Sequence, residues 1–142
     1  MNFQPELAAK VMAGEKTVTR RLCSTNPRSP WWRGACALKV GRDYAVCPGR
    51  GKPAIGRVRV LRAELEHLGQ VTTLDAKREG FHGRGEFRRA WEQINGSWSD
   101  VLLVWRIEFE VVVAPPLLVE GDDVIARAVH AARGERKRTA AS

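Results

Sequence analysis

The chain has 142 residues, 44% of them hydrophobic, the length and apolar content of one globular domain around one core. Its longest apolar run, Val111 to Val119, contains Pro115 and Pro116 and falls well short of the roughly 20 residues needed to cross a bilayer. Glu6 and Lys10 interrupt the apolar residues at the start, which argues against a secretory signal and predicts a cytoplasmic protein with no membrane partner.

Pro5 suits the first turn of a helix, Leu7, Ala8, Val11 and Met12 recur at helical spacing, and Gly14 can end it, which predicts a helix over about residues 5–13. Thr17 to Leu22 is β-branched and alternating, a strand with Thr17, Thr19 and Arg21 on one face. Residues 23–37, rich in Pro, Gly, Ser and Arg and carrying Trp31 and Trp32, read as an inserted loop. Leu38 to Val46, broken by Gly41-Arg42-Asp43, and Ala54 to Leu61 are expected strands around the turn-rich segment 47–53, with Val58 and Val60 inward and Arg57 and Arg59 outward. A short helix is expected over Thr73 to Gly80. A second carries Phe87, Ala90, Trp91 and Ile94 on one face and stops at Gly96. Val101 to Val113 is the clearest strand, with Trp105, Ile107 and Phe109 on its apolar face; Trp91 and Trp105 are core residues on this reading. The pattern predicts an α+β fold, a small barrel with helices packed around it, over residues 1–120, followed by a helix capped at Asp122 or Asp123 and a basic tail within 121–142.

Of the 24 Lys and Arg, 18 are Arg; against 16 Asp and Glu they give a net charge of +8. Residues 1–62 carry 13 basic and 3 acidic side chains, whereas residues 63–132 carry 7 and 12. An Arg-rich half of that balance suits oxyanions, and nucleic acid is the leading partner class. Cys23, Cys36 and Cys47 and the three scattered His lack zinc-ligand spacing, so neither a metal nor another cofactor is expected. The run from Gly49 to Ala54 resembles a dinucleotide loop only superficially, since a strand follows it and Pro53 removes an amide donor.

The segment Gly14-Glu15-Lys16-Thr17-Val18-Thr19-Arg20-Arg21 concentrates amine, hydroxyl and guanidinium groups where a helix opens into a strand. Together with Lys39-Val40-Gly41-Arg42-Asp43-Tyr44, Asp75 to Phe81 and Trp105-Arg106-Ile107-Glu108-Phe109, it resembles the ASCH family of the PUA-like superfamily over about residues 5–111. The resemblance implies a PUA-like barrel associated with RNA. Its members include proteins that remove the acetyl group from N(4)-acetylcytidine, ribonucleases and plain RNA-binding domains. Carried over residue by residue, the catalytic roles fall on Lys16 as base, Thr19 as nucleophile and Glu79 as acid, with Arg20, Arg21, Trp32, Arg57 and Arg59 as RNA or substrate contacts. Arg20 stands where the pattern has an apolar residue. The expectation is thus an RNA-associated hydrolase acting on RNA or a modified cytidine, by deacetylation or strand cleavage, or else a non-catalytic RNA-binding module.

Overall fold

The computed structural model describes residues 1–113, of which Met1–Val111 form one compact unit. The predicted terminal helix and tail lie outside the described residues. The first helix, α1 (Pro5–Met12), starts on its proline, with Glu6 in the first turn and Lys10 in the last, each favourable to the helix dipole. Gly14, at φ +79°, then turns the chain so that the amides of Glu15 and Lys16 donate to the Lys10 carbonyl. The strand β1 (Val18–Leu22) follows directly.

The remaining strands are β2 (Asp43–Val46), β3 (Gly56–His67) and β4 (Leu103–Val111), joined to β1 in one antiparallel sheet of order β1-β4-β3-β2. The α+β architecture agrees with the sequence pattern, but among the described residues the sheet is open. β1 and β2 are its two edges, and the expected closed barrel is not formed; four strands are too few to curl back on themselves. The expected strand over Leu38–Val46 shortens to Asp43–Val46 because Gly41, at φ +87°, turns the chain, although the Gly41 amide still reaches the Val60 carbonyl. Conversely β3 runs six residues past Leu61, to His67, since a register shift between Val60 and Arg62 lets it bend and keep pairing with β4.

One face of the sheet is covered along its length and the other over β1 and β4, leaving Arg57 and Arg59 of β3 exposed. Below it, Phe3, Ala8 and Val11 of the N-terminal arm and α1 pack on Val58, Val60, Trp105, Ile107 and Phe109. Above it sit α2 (Thr73–Arg78) and α3 (Arg84–Asn95), whose Ala76, Phe87 and Trp91 cover Val104 and Leu68. This second layer also buries Arg106 on the far face of β4, at 9% exposure. No helix among the described residues is long and apolar enough to cross a membrane.

Candidate active site

The free edge of β1 is where the two layers meet. A cavity of about 400 Å³ runs along it, within the range of small-molecule sites. Its polar wall carries Lys16, Thr19, Arg21 and Glu79; its apolar wall carries Phe3, Trp31, Phe81, Phe87 and Trp91. Alternation along β1 sends Thr19 and Arg21 to the α1 side and Arg20 to the α2 side, so a single edge strand supplies the wall from both faces.

Glu79 arrives from α2. Thr72 caps that helix by accepting from the Asp75 amide while Asp75 accepts from the Thr72 amide. Glu79 is the residue on which the helix ends, and Gly80, at φ +99°, turns the chain away behind it. A Cβ at Gly80 would come within 3.3 Å of the Lys10 side chain and 3.5 Å of that of Lys16, besides being strained in that conformation. The Thr17 amide donates to the Arg78 carbonyl, which ties β1 to this turn.

Lys16 and Glu79 are buried, at 2% and 3% exposure. The Lys16 Nζ donates to Glu79 Oε1 at 2.8 Å, to the Glu79 carbonyl at 2.9 Å and to the Val18 carbonyl at 2.8 Å. Those three acceptors use all three hydrogens of an ammonium group. Burial pushes the Lys16 pKa below the ordinary lysine value, with Arg20 and Arg21 acting the same way and Glu79 opposing them. The Thr19 hydroxyl, 5% exposed as a residue, accepts a long hydrogen bond of 3.4 Å from Arg21 Nε. The Arg21 guanidinium lies 5.1 Å from the Phe3 ring centre and 5.4 Å from that of Trp31, and donates through Nη2 to the Asn2 carbonyl at 2.9 Å. No carboxylate pairs with it among the described residues, and burial lowers its pKa from the usual arginine value.

The residues expected at the site separate into three groups. Lys16, Thr19, Glu79 and Arg21 share the cavity wall. Arg20 touches it too, but its side chain is fully buried and held by carboxylates: Nε to Glu66 Oε2 at 2.7 Å, Nη1 to Glu79 Oε2 at 2.9 Å, and Nη2 3.5 Å from Asp75 Oδ2. An arginine so enclosed has no surface to offer an RNA phosphate. Arg57 and Arg59 are exposed on β3 outside the cavity lining, and Arg59 pairs with Asp43 at 2.8 Å. Trp32 also lies outside that lining; its carbonyl accepts from Trp105 Nε1 at 3.0 Å, while its neighbour Trp31 faces the cavity. Alternation in a loop carries no facing information, so only the fold separates the two tryptophans. The spacing of Phe87 and Trp91 places them on an apolar helix face, and nothing local marks them, or Phe81, as cavity wall.

Comparison with solved structures shows the fold. The fold aligns with a DUF984-family protein from Enterococcus faecalis at TM-score 0.56 and 19% identity, covering 75% of this chain and 70% of that one. An ASCH domain from Lactobacillus crispatus aligns at TM-score 0.53 and 18% identity, with coverages of 75% and 70%. The ZmASCH protein of Zymomonas mobilis, solved as a point mutant, aligns at 0.52 and 18%, covering 83% of this chain and 69% of that one. No protein-family model and no curated protein matches the chain. The molecule therefore has an ASCH-like α+β fold with an aromatic cavity at its edge strand.

Proposed function

We propose that this ASCH-like domain is a hydrolase that takes one modified cytidine, free or in RNA, into the cavity and removes an acyl group from the exocyclic nitrogen of the base. The observation that carries the reading is the gathering of Lys16, Thr19 and Glu79 on one wall of a cavity whose volume of about 400 Å³ suits a single nucleoside. The aromatic rings that also line it supply faces on which a base can stack.

In this reading each side chain has one role. Once Lys16 has lost a proton, its amine removes the proton of the Thr19 hydroxyl, whose oxygen bonds to the acyl carbon. Arg21, already hydrogen-bonded to Thr19, offers guanidinium hydrogens to the oxyanion that develops. The 2.8 Å contact passes the proton from Lys16 to Glu79, which delivers it to the departing cytosine nitrogen as the carbon–nitrogen bond breaks. Water then hydrolyses the threonyl ester, releasing the carboxylic acid and restoring the hydroxyl. RNA fits the outer surface: residues 28–62 expose nine Lys and Arg side chains, Arg57 and Arg59 among them, against one acid, Asp43.

A short RNA carrying one N(4)-acetylcytidine, incubated with the protein in the presence of chelator and followed by mass, tests this. Loss of one acetyl group that Thr19→Ala abolishes while affinity survives is the expected result. Shorter strands instead of deacetylated ones would replace this reading with a ribonuclease. The second reading, an RNA-binding module without turnover, draws on the engagement of all three Lys16 hydrogens, and intact RNA bound by the protein would favour it.

A further inference from the structure

Arg20 is the one arginine of β1 that turns away from the Thr19 side, and it stands at a position that is apolar in the pattern the segment resembles. Its side chain has no solvent exposure, yet it reaches three carboxylates on two elements, Glu66 on β3 and Asp75 and Glu79 at the two ends of α2. Glu66 does not line the cavity. The two oxygens of Glu79 are divided, Oε1 to Lys16 at 2.8 Å and Oε2 to Arg20 at 2.9 Å.

We propose that Arg20 is the positioning residue of the site: braced on Glu66, its guanidinium holds one oxygen of Glu79 so that the other stays directed at Lys16. This rests on the hydrolase reading and deepens it. A planar fork can bond Glu66 and Glu79 at once, which a lysine ammonium at the end of a flexible stem does not reproduce. The second consequence is electrostatic. The charged groups facing the Lys16 amine are Glu79 from the end of α2 and Arg20 and Arg21 from β1, while Lys10 of α1 is bonded nearby to the Gly80 carbonyl at 2.6 Å. Removing the Arg20 charge takes away one repulsion, so Lys16 holds its proton to higher pH.

The test combines Arg20→Met, Arg20→Lys and Glu66→Ala in the full chain, each read in two ways. Titration of the Lys16 side chain by NMR needs no turnover: the midpoint is expected to rise in Arg20→Met and to stay near wild type in Arg20→Lys, which keeps the charge. Turnover of the acetylated RNA is expected to fall on the order of 10²-fold in kcat for both Arg20 variants, with KM nearly unchanged, as for a misaimed catalytic group. Glu66→Ala, remote from the cavity, lowers kcat in the same sense. An unmoved Lys16 midpoint in Arg20→Met, or a full kcat in Arg20→Lys or Glu66→Ala, overturns the proposal. If Arg20→Met does not fold, the lysine and Glu66 variants still decide the positioning role. If the wild type has no turnover, the hydrolase reading fails and the positioning role in catalysis falls with it, while the titration still decides the Arg20–Lys16 coupling.

Discussion

Beneath the sheet, Val11, Val58, Val60, Ile107 and Phe109 pack as an apolar core, whereas above β1 and β4 the α2 helix closes over Arg20, Arg106, Glu66, Asp75 and Glu79. The first region is stabilised by area removed from water, in proportion to what is buried. The second contains ions taken out of water that remain tolerable only while each has its partner. Arg106 lies opposite Arg20 in the β1–β4 register and faces Asp75 at 3.6 Å, so two arginines share the acids of α2. A buried carboxylate such as Glu79 is thus held under a helix by counter-charges, with the apolar core on the other face supplying the platform.

The difference is testable by removing one group from each side. Glu79→Ala should reduce turnover on the order of 10²–10⁴-fold and destabilise the fold by about 3–5 kcal/mol, because Lys16 and Arg20 are left buried without it. Paired rate and urea-melt measurements read both effects, and an unchanged melt would mean that water reaches the charged layer. Ile107→Ala should destabilise by about 2–5 kcal/mol and Ile107→Val by about 0.5–1.5 kcal/mol, graded by volume as the charged layer is not; urea midpoints of the two variants give that gradation.

Stability against pH sharpens the contrast further. The Asp75 carboxyl is held below its ordinary value: burial works the other way and is outweighed by the Thr72 amide and by Arg20 and Arg106. Its contribution is therefore present above the ordinary carboxylate range and disappears as pH falls through the depressed value. Lys16 has the same sign in a more alkaline window: burial depresses its pKa and the unfolded chain binds the proton more tightly, so the cost of its buried charge is lifted and stability rises as pH climbs from the depressed value towards the ordinary lysine value. Urea midpoints measured across pH should show both limbs, with Asp75→Asn flattening the acid one.

At the surface the effects are small. Replacing both Arg57 and Arg59 by Ala should reduce the slope of log affinity against log salt for single-stranded RNA by about 1.4, at the rate of about 0.7 per contact. Asp43→Ala, which breaks an exposed pair with Arg59, should change stability by less than about 1 kcal/mol. A large loss there would place that pair among the buried ones.

Local pattern determined much of this protein. Pro5 and Gly14 delimit α1, the alternation around Val58 and Val60 defines the inward face of β3, the 3.6-residue spacing of Phe87 and Trp91 builds α3, and Trp105, Ile107 and Phe109 form the buried side of β4. Such periodicities report how an element presents its side chains because they depend only on its own geometry. What covers the other face is a matter of partners distant in sequence, and there the fold alone decided. Arg20 reaches Glu66 and Glu79, 46 and 59 residues away, and so became a buried brace where its charge suggested an RNA contact. The same holds for Trp31 facing the cavity in place of Trp32 and for a sheet left open after four strands. Lys16 and Glu79, 63 residues apart, could be nominated from the motifs they sit in, but their contact exists only because α2 ends on the glutamate beside the edge of β1.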